Sequence, residues 1–340
     1  MSRLRSAAVM CLVAVVVSTG STTRATGSTT RATGSTIRVA HAEPRKVPGT
    51  PLFTIQDDAI FESSGLVDRE SVVYTNNDSG DAAVVYGIDP RTGRTVSRTT
   101  YAPSVTDVED IAPGSHGTLW AGDTGDNRRN RDHIDVYHLR RLDGHHPAVR
   151  YRLVYPDGPH DAETLLVQPR TQRVYVVSKS AFGGTVYVGP RRLRAGGATN
   201  RLRAFARVGG LVTDGTFYPD GRHVLLRTYG TASVYTFPGF GLVGTVRLPP
   251  QPQGEGISVG PRGRVLVSSE GRHSQVLQVR LPPSLLTSKD AGPRRPPPPP
   301  QVTVTRTGTD WVVIGLVAAA VALLGWLTVR GARPRGPRRR

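Results

Sequence analysis

ESSGLVDRESVVYTNNDSG, residues Glu62–Gly80, opens on an acidic residue and a short apolar run, turns, and closes with a second apolar run that ends in polar residues. The same order returns as EDIAPGSHGTLWAGDTGDN (Glu109–Asn127), ETLLVQPRTQRVYVVSKS (Glu163–Ser180), DGTFYPDGRHVLLRTYG (Asp214–Gly230) and EGISVGPRGRVLVSSEG (Glu255–Gly271). The openers Glu62, Glu109, Glu163, Asp214 and Glu255 are 47, 54, 51 and 41 residues apart. Between the copies the apolar runs stay short, alternating and rich in Val, Tyr and Leu. Turn signals such as Asp89-Pro90-Arg91-Thr92-Gly93, Pro219-Asp220-Gly221 and Gly260-Pro261-Arg262-Gly263 separate them. No stretch of this region sustains a 3.6-residue period, so it reads as all-β.

A hairpin cassette repeating at such a period is the sequence sign of a β-propeller. Five four-stranded blades are countable, with room for a sixth around Val186–Gly210, where arginines blur the pattern. In the first blade the strands fall at Leu66–Val67, Val72–Thr75, Ala82–Asp89 and Val96–Tyr101. In the fourth blade the outer pair falls at Val234–Pro238 and Gly244–Leu248. The last copy has only three strands after its opener, ending at Val276–Leu281. Leu52–Gln56 is expected to supply the fourth, joining the chain ends and removing open sheet edges.

The flanks read as targeting and topology segments. A basic start, the apolar run Ala7–Val17 and Ala40-His41-Ala42 form a secretory signal, assigned to residues 1–42. Within it STTRATG is duplicated at Ser21–Gly27 and Ser28–Gly34, a low-complexity expansion. Residues 43–49 form a linker, 50–282 the β domain, and 283–310 a stalk whose five prolines, Pro296–Pro300, favour extended polyproline II. Trp311–Val329 is an uncharged stretch long enough for one transmembrane helix, at about 1.5 Å per residue. Tryptophans stand near its ends, and six arginines follow in 330–340. The positive-inside rule then places the tail in the cytoplasm and the propeller outside the cell, a single-pass, cell-membrane arrangement.

The net charge of +18 invites a nucleic-acid partner, but its distribution argues against one. Residues 50–282 carry 27 Lys/Arg against 23 Asp/Glu, and the remaining excess lies in the flanks. The sole cysteine, Cys11, lies in the signal segment, which excludes disulfides, thiolate metal sites and a cysteine nucleophile from the β domain. Lysine occurs three times against 41 arginines, the bias of a GC-rich genome such as an actinobacterial one.

In each cassette the second strand returns to the face where the opener stands. Glu62, Glu109, Glu163, Asp214 and Glu255 should therefore lie near Asn76-Asn77-Asp78, Asp123 with Asp126-Asn127, Ser178-Lys179, Arg227 and Ser269-Glu270. The ring should gather all of them at one mouth of the central channel. Crowded carboxylates repel, and an oxygen-rich, cysteine-free cluster suits a hard cation, calcium first. The openers are thus the expected metal ligands. Asn77, Asp78, Asp123, Asp126 and Glu270 are the expected ligand-binding groups, with Lys179 and Arg227 as anion holders. Acids at such positions equally accept backbone N–H bonds and cap turns. Asp107-Val108-Glu109-Asp110 and His160-Asp161-Ala162-Glu163 add further acids at two cassette starts. His160 reads as a base, a ligand or a solvated loop residue, and His145-His146 as an outer loop.

Neither an H-E-x-x-H nor a Walker motif is present. Glu62-Ser63-Ser64-Gly65-Leu66, Asn77-Asp78-Ser79-Gly80, Asp107-Val108-Glu109-Asp110-Ile111, Gly122-Asp123-Thr124-Gly125-Asp126-Asn127, Asp161-Ala162-Glu163 and Gln253-Gly254-Glu255-Gly256-Ile257 resemble signatures of secreted bacterial propellers. These are the phytase-like and SdiA-regulated group, related in architecture to NHL and WD-type repeats. The resemblance implies a propeller over most of 50–282. In its phytase-like members calcium and cationic side chains hold phosphate esters, whereas this chain has few cations at the mouth. Two classes stay open. One is a monomeric, surface-anchored propeller that binds a cell-wall component, a partner or a small anionic ligand. The other is a calcium-dependent hydrolase of a phosphoester or lactone.

Overall fold

The computed structural model describes residues 43–78 and 80–287. The signal segment 1–42, most of the stalk including Pro296–Pro300, the span 311–329 and the tail 330–340 lie outside the described residues. Among the described residues no helix is long and apolar enough to cross a membrane.

The ring has five blades, and the possible sixth is corrected to none. Thr185–Val188 and Arg203–Arg207, in the stretch where it was sought, are the third and outer strands of blade 3. Blade 1 runs outward through Ser63–Asp68, Val73–Asn77, Val84–Ile88 and Thr95–Thr100. Blade 2 uses Val108–Pro113, Leu119–Asp123, Ile134–Leu139 and Val149–Val154. Blade 3 begins with Ala162–Val167 and Val174–Ser178. Blade 4 is built from Asp214–Phe217, His223–Arg227, Thr231–Thr236 and Leu242–Arg247. Blade 5 takes Gly254–Val259, Val265–Ser269 and Gln275–Val279 from the C-terminal side, and its outer strand is Gly49–Thr54 from the N-terminal side, antiparallel to Gln275–Val279. The ring is closed by the chain's own two ends, as the sequence implies.

Alternation along each strand explains why the ring holds. Leu66 packs between blades 5 and 1, while its neighbour Val67 packs between blades 1 and 2. Leu165 and Leu166 divide in the same way between the 2–3 and 3–4 contacts, and Leu225 and Leu226 between the 4–5 and 3–4 contacts. Each blade therefore presents an apolar face to both neighbours, and there is one apolar cluster per blade contact.

Edges receive a second device that the sequence did not announce. Gly144–His145, from the segment before the outer strand of blade 2, pairs in parallel with the outer strand of blade 1. Thr199–Arg201, before the outer strand of blade 3, pairs with blade 2. Arg45–Lys46, before the outer strand of blade 5, pairs with blade 4. Three outer edges are thus partly covered by the next blade's connection. Strand pairing accordingly begins inside the stretch 43–49 assigned to a linker.

Closure depends on Phe53, a buried side chain on the closing strand that packs with Leu66, Tyr86, Leu266 and Val276. Phe53→Ala is expected to lower the unfolding free energy by about 3–5 kcal/mol, measured by urea denaturation. A loss below about 1 kcal/mol, the range of ordinary surface changes, would contradict this closure.

Candidate cation and ligand site at the channel mouth

Four of the five inner strands carry a bulge near their start, and in three of them an acidic residue stands inside it. The register shifts fall between Ser63 and Leu66, Val108 and Asp110, Ala162 and Thr164, and Gly254 and Ile257. Ser64, Glu109, Glu163 and Glu255 lie inside these shifts. A bulge inserts one unpaired residue and re-aims its side chain. Blade 4 has no bulge, and Asp214 pairs directly with Arg227.

The polar ends of the second strands divide into two jobs. The last residue caps the chain as it enters the inner strand. Asn77 Oδ1 accepts the N–H groups of Phe61 and Glu62 at 3.0 and 3.1 Å, and its Nδ2 donates to Ala59 O and Asp81. Asp123 stands at the matching place, accepts the N–H groups of Thr106 and Asp107 at 3.0 Å each, and pairs with Arg131 at 2.8 Å. Ser269 Oγ accepts Gln253 N–H in blade 5. Asp126 accepts the N–H groups of Asn130 and Arg131. Each takes backbone N–H groups of the entering or turning chain, so Asn77, Asp123 and Asp126 are engaged as caps. The next residue lies on the rim. Asp78, Lys179 and Glu270 each donate their N–H back to the residue opposite, Glu62, Asp161 and Gln253.

Five carboxyl groups meet at the mouth in two overlapping triads. Asp78, Asp107 and Glu109 form one, and Glu109, Asp161 and Glu163 the other. Within each triad one oxygen per residue lies within 4.8 Å of the others. Oxygens on opposite sides of a calcium ion, at 2.3–2.6 Å from it, are about 5 Å apart, so either triad fits inside one coordination shell. Glu109, common to both, is buried, and its Oε2 has no hydrogen-bond partner. Asp107 Oδ1 and Glu255 Oε2 are buried and unpartnered too. The donors are all carboxylate oxygens, the chemistry of a hard cation.

Lys179 is the cation within the cluster. Its Nζ lies 2.7 Å from Glu163 Oε1 and 5.9 Å from the centre of the Tyr229 ring. Arg227 is placed differently from its reading as an anion holder at the mouth. It is fully buried, and Nη1 donates to Gly256 O at 2.6 Å and Ser268 O at 2.8 Å, while Nη2 donates to Gln251 Oε1 at 2.7 Å. It ties blade 4 to blade 5. Asp214 is in neither triad. Its carboxylate accepts the N–H groups of Gly215 and Ile257 and shares a hydrogen bond with Asp110. Glu255 couples electrostatically to Glu163, Glu270 and Lys179, and Glu62 is half-buried close enough to act on Glu270. His160 sits apart from the triads, with Nε2 at 3.0 Å from Asp157 and 2.7 Å from Tyr187 OH.

Asp107, Asp110 and Asp161 are the site acids that the sequence reading left without a role. Asp107-x-Glu109 and Asp161-x-Glu163, acids two apart at the entries of two inner strands, carry the usable signal.

Burial, then like charge, sets the protonation of this cluster. Burial holds Glu109 well above the usual carboxyl range, and Glu163, Asp78 and Asp107 add to it. Burial also raises Glu163 to about 7, against the pull of Lys179. Glu255 is raised to about 8 by burial and by Glu163 and Glu270. Asp107 is raised to about 6 by burial with Asp78 and Asp161, and Asp110 to about 8 by burial. Several of these groups are therefore protonated near neutrality unless a cation replaces the protons.

No protein-family model matches the chain, and no curated protein matches it in sequence. Among solved structures, a gluconolactonase from Xanthomonas campestris is similar at 16% identity, over 68% of this chain and 98% of that one, with a TM-score of 0.41. A likeness this distant does not extend to chemistry.

The raised carboxyls bind protons more tightly in the folded than in the unfolded chain, where 4.5 or 3.8 applies. The stability they contribute is complete below those unfolded values and is lost as pH rises through about 6 to 8. In chelator, the urea midpoint is expected to fall across that window, and calcium is expected to restore it at the alkaline end. A midpoint that stays level or rises from pH 5.5 to 8.5, a span of about three pH units around those values, would contradict this protonation scheme.

Proposed function

We propose that this chain is a cell-surface propeller that holds a divalent cation, calcium first, at its channel mouth and uses it to bind an anionic ligand. In this reading the ring stands outside the membrane and the arginine-rich tail inside. The observation that carries the proposal is Glu109, a buried carboxyl common to two carboxylate triads, with one oxygen lacking any partner. Asp78, Asp107, Glu109, Asp161 and Glu163 would hold the ion. When bound, the ion supplies the positive charge that lets these carboxyls ionise together and leaves open positions for a ligand oxygen. Lys179 beside Glu163 adds a second positive group for the ligand.

A second reading, a cation-dependent hydrolase of a phosphoester or lactone, draws support from Glu255. This carboxyl is raised to about 8 with an unpartnered Oε2, at the mouth beside Lys179. A group titrating near the working pH can take a proton from an attacking water.

Calorimetric titration of the full-length protein with calcium tests the first claim. Stoichiometric binding is expected, in the range of about 0.1–1 mM or tighter that extracellular calcium modules show, weakened about tenfold or more in Glu109→Gln. Absence of binding at about 10 mM, far above that range, would contradict it. A phosphoester and lactone panel run on wild type and Glu255→Gln then separates the readings. Turnover lost in Glu255→Gln supports the hydrolase, and equal, negligible turnover in both leaves the binder.

A further inference from the structure

We propose that the ligand class of this mouth is an acidic sugar, a hydroxylated ring bearing a carboxylate or a phosphate, with the ring lying on Tyr229 and the anionic arm reaching the cation. The inference rests on the cation reading above and adds what surrounds it.

Tyr229 lies in the turn between the second and third strands of blade 4, on the mouth side, and is 40% exposed. Its ring is reached by Lys179 Nζ at 5.9 Å, and that same nitrogen lies 2.7 Å from Glu163 Oε1. Glu163 in turn shares its triad with Glu109 and Asp161, all within 4.8 Å. An aromatic face, an ammonium group and a carboxylate cluster therefore follow one another, with successive steps of 5.9 and 2.7 Å.

A second aromatic stands beside this row. Phe182 is 98% exposed in the turn that follows Lys179. The turn is pinned at its base, since Gly183 N–H donates to Ser180 O and Val208 N–H to Gly184 O. Gly183 takes a φ of 100°, a conformation open to glycine, which lets the turn close under Phe182. The same Val208–Gly210 segment approaches Thr228, the neighbour of Tyr229. Both aromatic-bearing turns thus border the Val208–Gly210 segment.

A lone exposed phenyl ring carries no message. An exposed aromatic ring reached by an ammonium group beside a carboxylate site, with a second exposed ring in a neighbouring turn, is a different arrangement. The apolar C–H face of a sugar ring suits an aromatic platform, and its hydroxyls suit a polar rim. The anionic arm supplies what a neutral sugar lacks, a charge for the cation and for Lys179. It also sets the direction of binding, because the surrounding acids repel an anion everywhere except at the cation.

Full-length wild type, Tyr229→Ala, Tyr229→Phe and Phe182→Ala are titrated with trigalacturonate, glucose 6-phosphate, cellotriose, inorganic phosphate and AMP, each with calcium and with chelator. One or both acidic sugars are expected to bind only with calcium, about tenfold or more tighter than cellotriose or inorganic phosphate. Tyr229→Ala is expected to weaken that binding by about tenfold, with Phe182→Ala weaker in effect and Tyr229→Phe close to wild type. Calcium affinity should be the same in all four proteins, which shows that the variants are folded. If calcium binds and neither acidic sugar does, or if Tyr229→Ala binds them like wild type, the proposal is overturned while the cation site stands. Tighter binding of AMP than of either sugar would also overturn it, in favour of a stacked base. If calcium itself fails to bind, the reading beneath the proposal fails instead.

Discussion

Five inner strands share one narrow axis, and their residues are buried almost from end to end. Every polar group placed on them must find a partner inside the protein or share a dry space with its counterparts from the other blades. Most of the polar architecture follows from that constraint. Backbone N–H groups at the blade entries are taken by Asn77, Asp123 and Ser269. The guanidinium of Arg227 is spent on carbonyls of blade 5 and on Gln251. Asp110 and Asp214 share a hydrogen bond deeper in the channel. After these assignments the bulged acids remain, Glu109, Glu163 and Glu255, gathered with Asp107 and Asp161. One ammonium group, Lys179, stands among them.

Blade 4 breaks the five-fold pattern in a way that shapes the site. It lacks the bulge, and its acid is held by the N–H groups of Gly215 and Ile257 and by Asp110, outside both triads. The two carboxylate triads draw on blades 1 to 3, and Tyr229 occupies the blade 4 sector of the rim. A symmetric ring of acids would offer only a cation cage. An asymmetric one places an ammonium group and an aromatic ring, Lys179 and Tyr229, beside the carboxylates on one side. The low mutual stability of buried like charges is thereby turned into affinity for what relieves it.

The fold was readable because the cassette repeats, and each copy alone specifies two strands, a turn and an acidic entry. Closure by the N-terminal segment followed from the missing fourth strand of the last copy. The site was readable only in outline. Strand pairing predicts which residues come near one another, and Asp214 opposite Arg227 or Asn77 opposite Ser63 obey it. It does not show a bulge, which decides whether an acid points into the shared space. Nor does it say whether a cation turns toward the mouth or into a blade contact. For Arg227 the clue lay in the glycines of Gly254-Glu255-Gly256, because a Cβ at Gly254 would collide with the guanidinium. Asp126 illustrates the opposite limit. The Asp123–Asn127 run resembles a cation loop, yet its second acid caps the turn at Asn130 and Arg131.

The central claim is that a cation, rather than shared protons, allows the mouth carboxyls to ionise together. A crystal structure grown near neutral pH with calcium tests it most directly, through anomalous difference density at the mouth. The account predicts a peak at about 2.3–2.6 Å from carboxylate oxygens of Glu109 and of at least Asp161 and Glu163, or of Asp78 and Asp107. Density showing these carboxyls paired to one another through short hydrogen bonds, with no anomalous peak among them at saturating calcium, would contradict it.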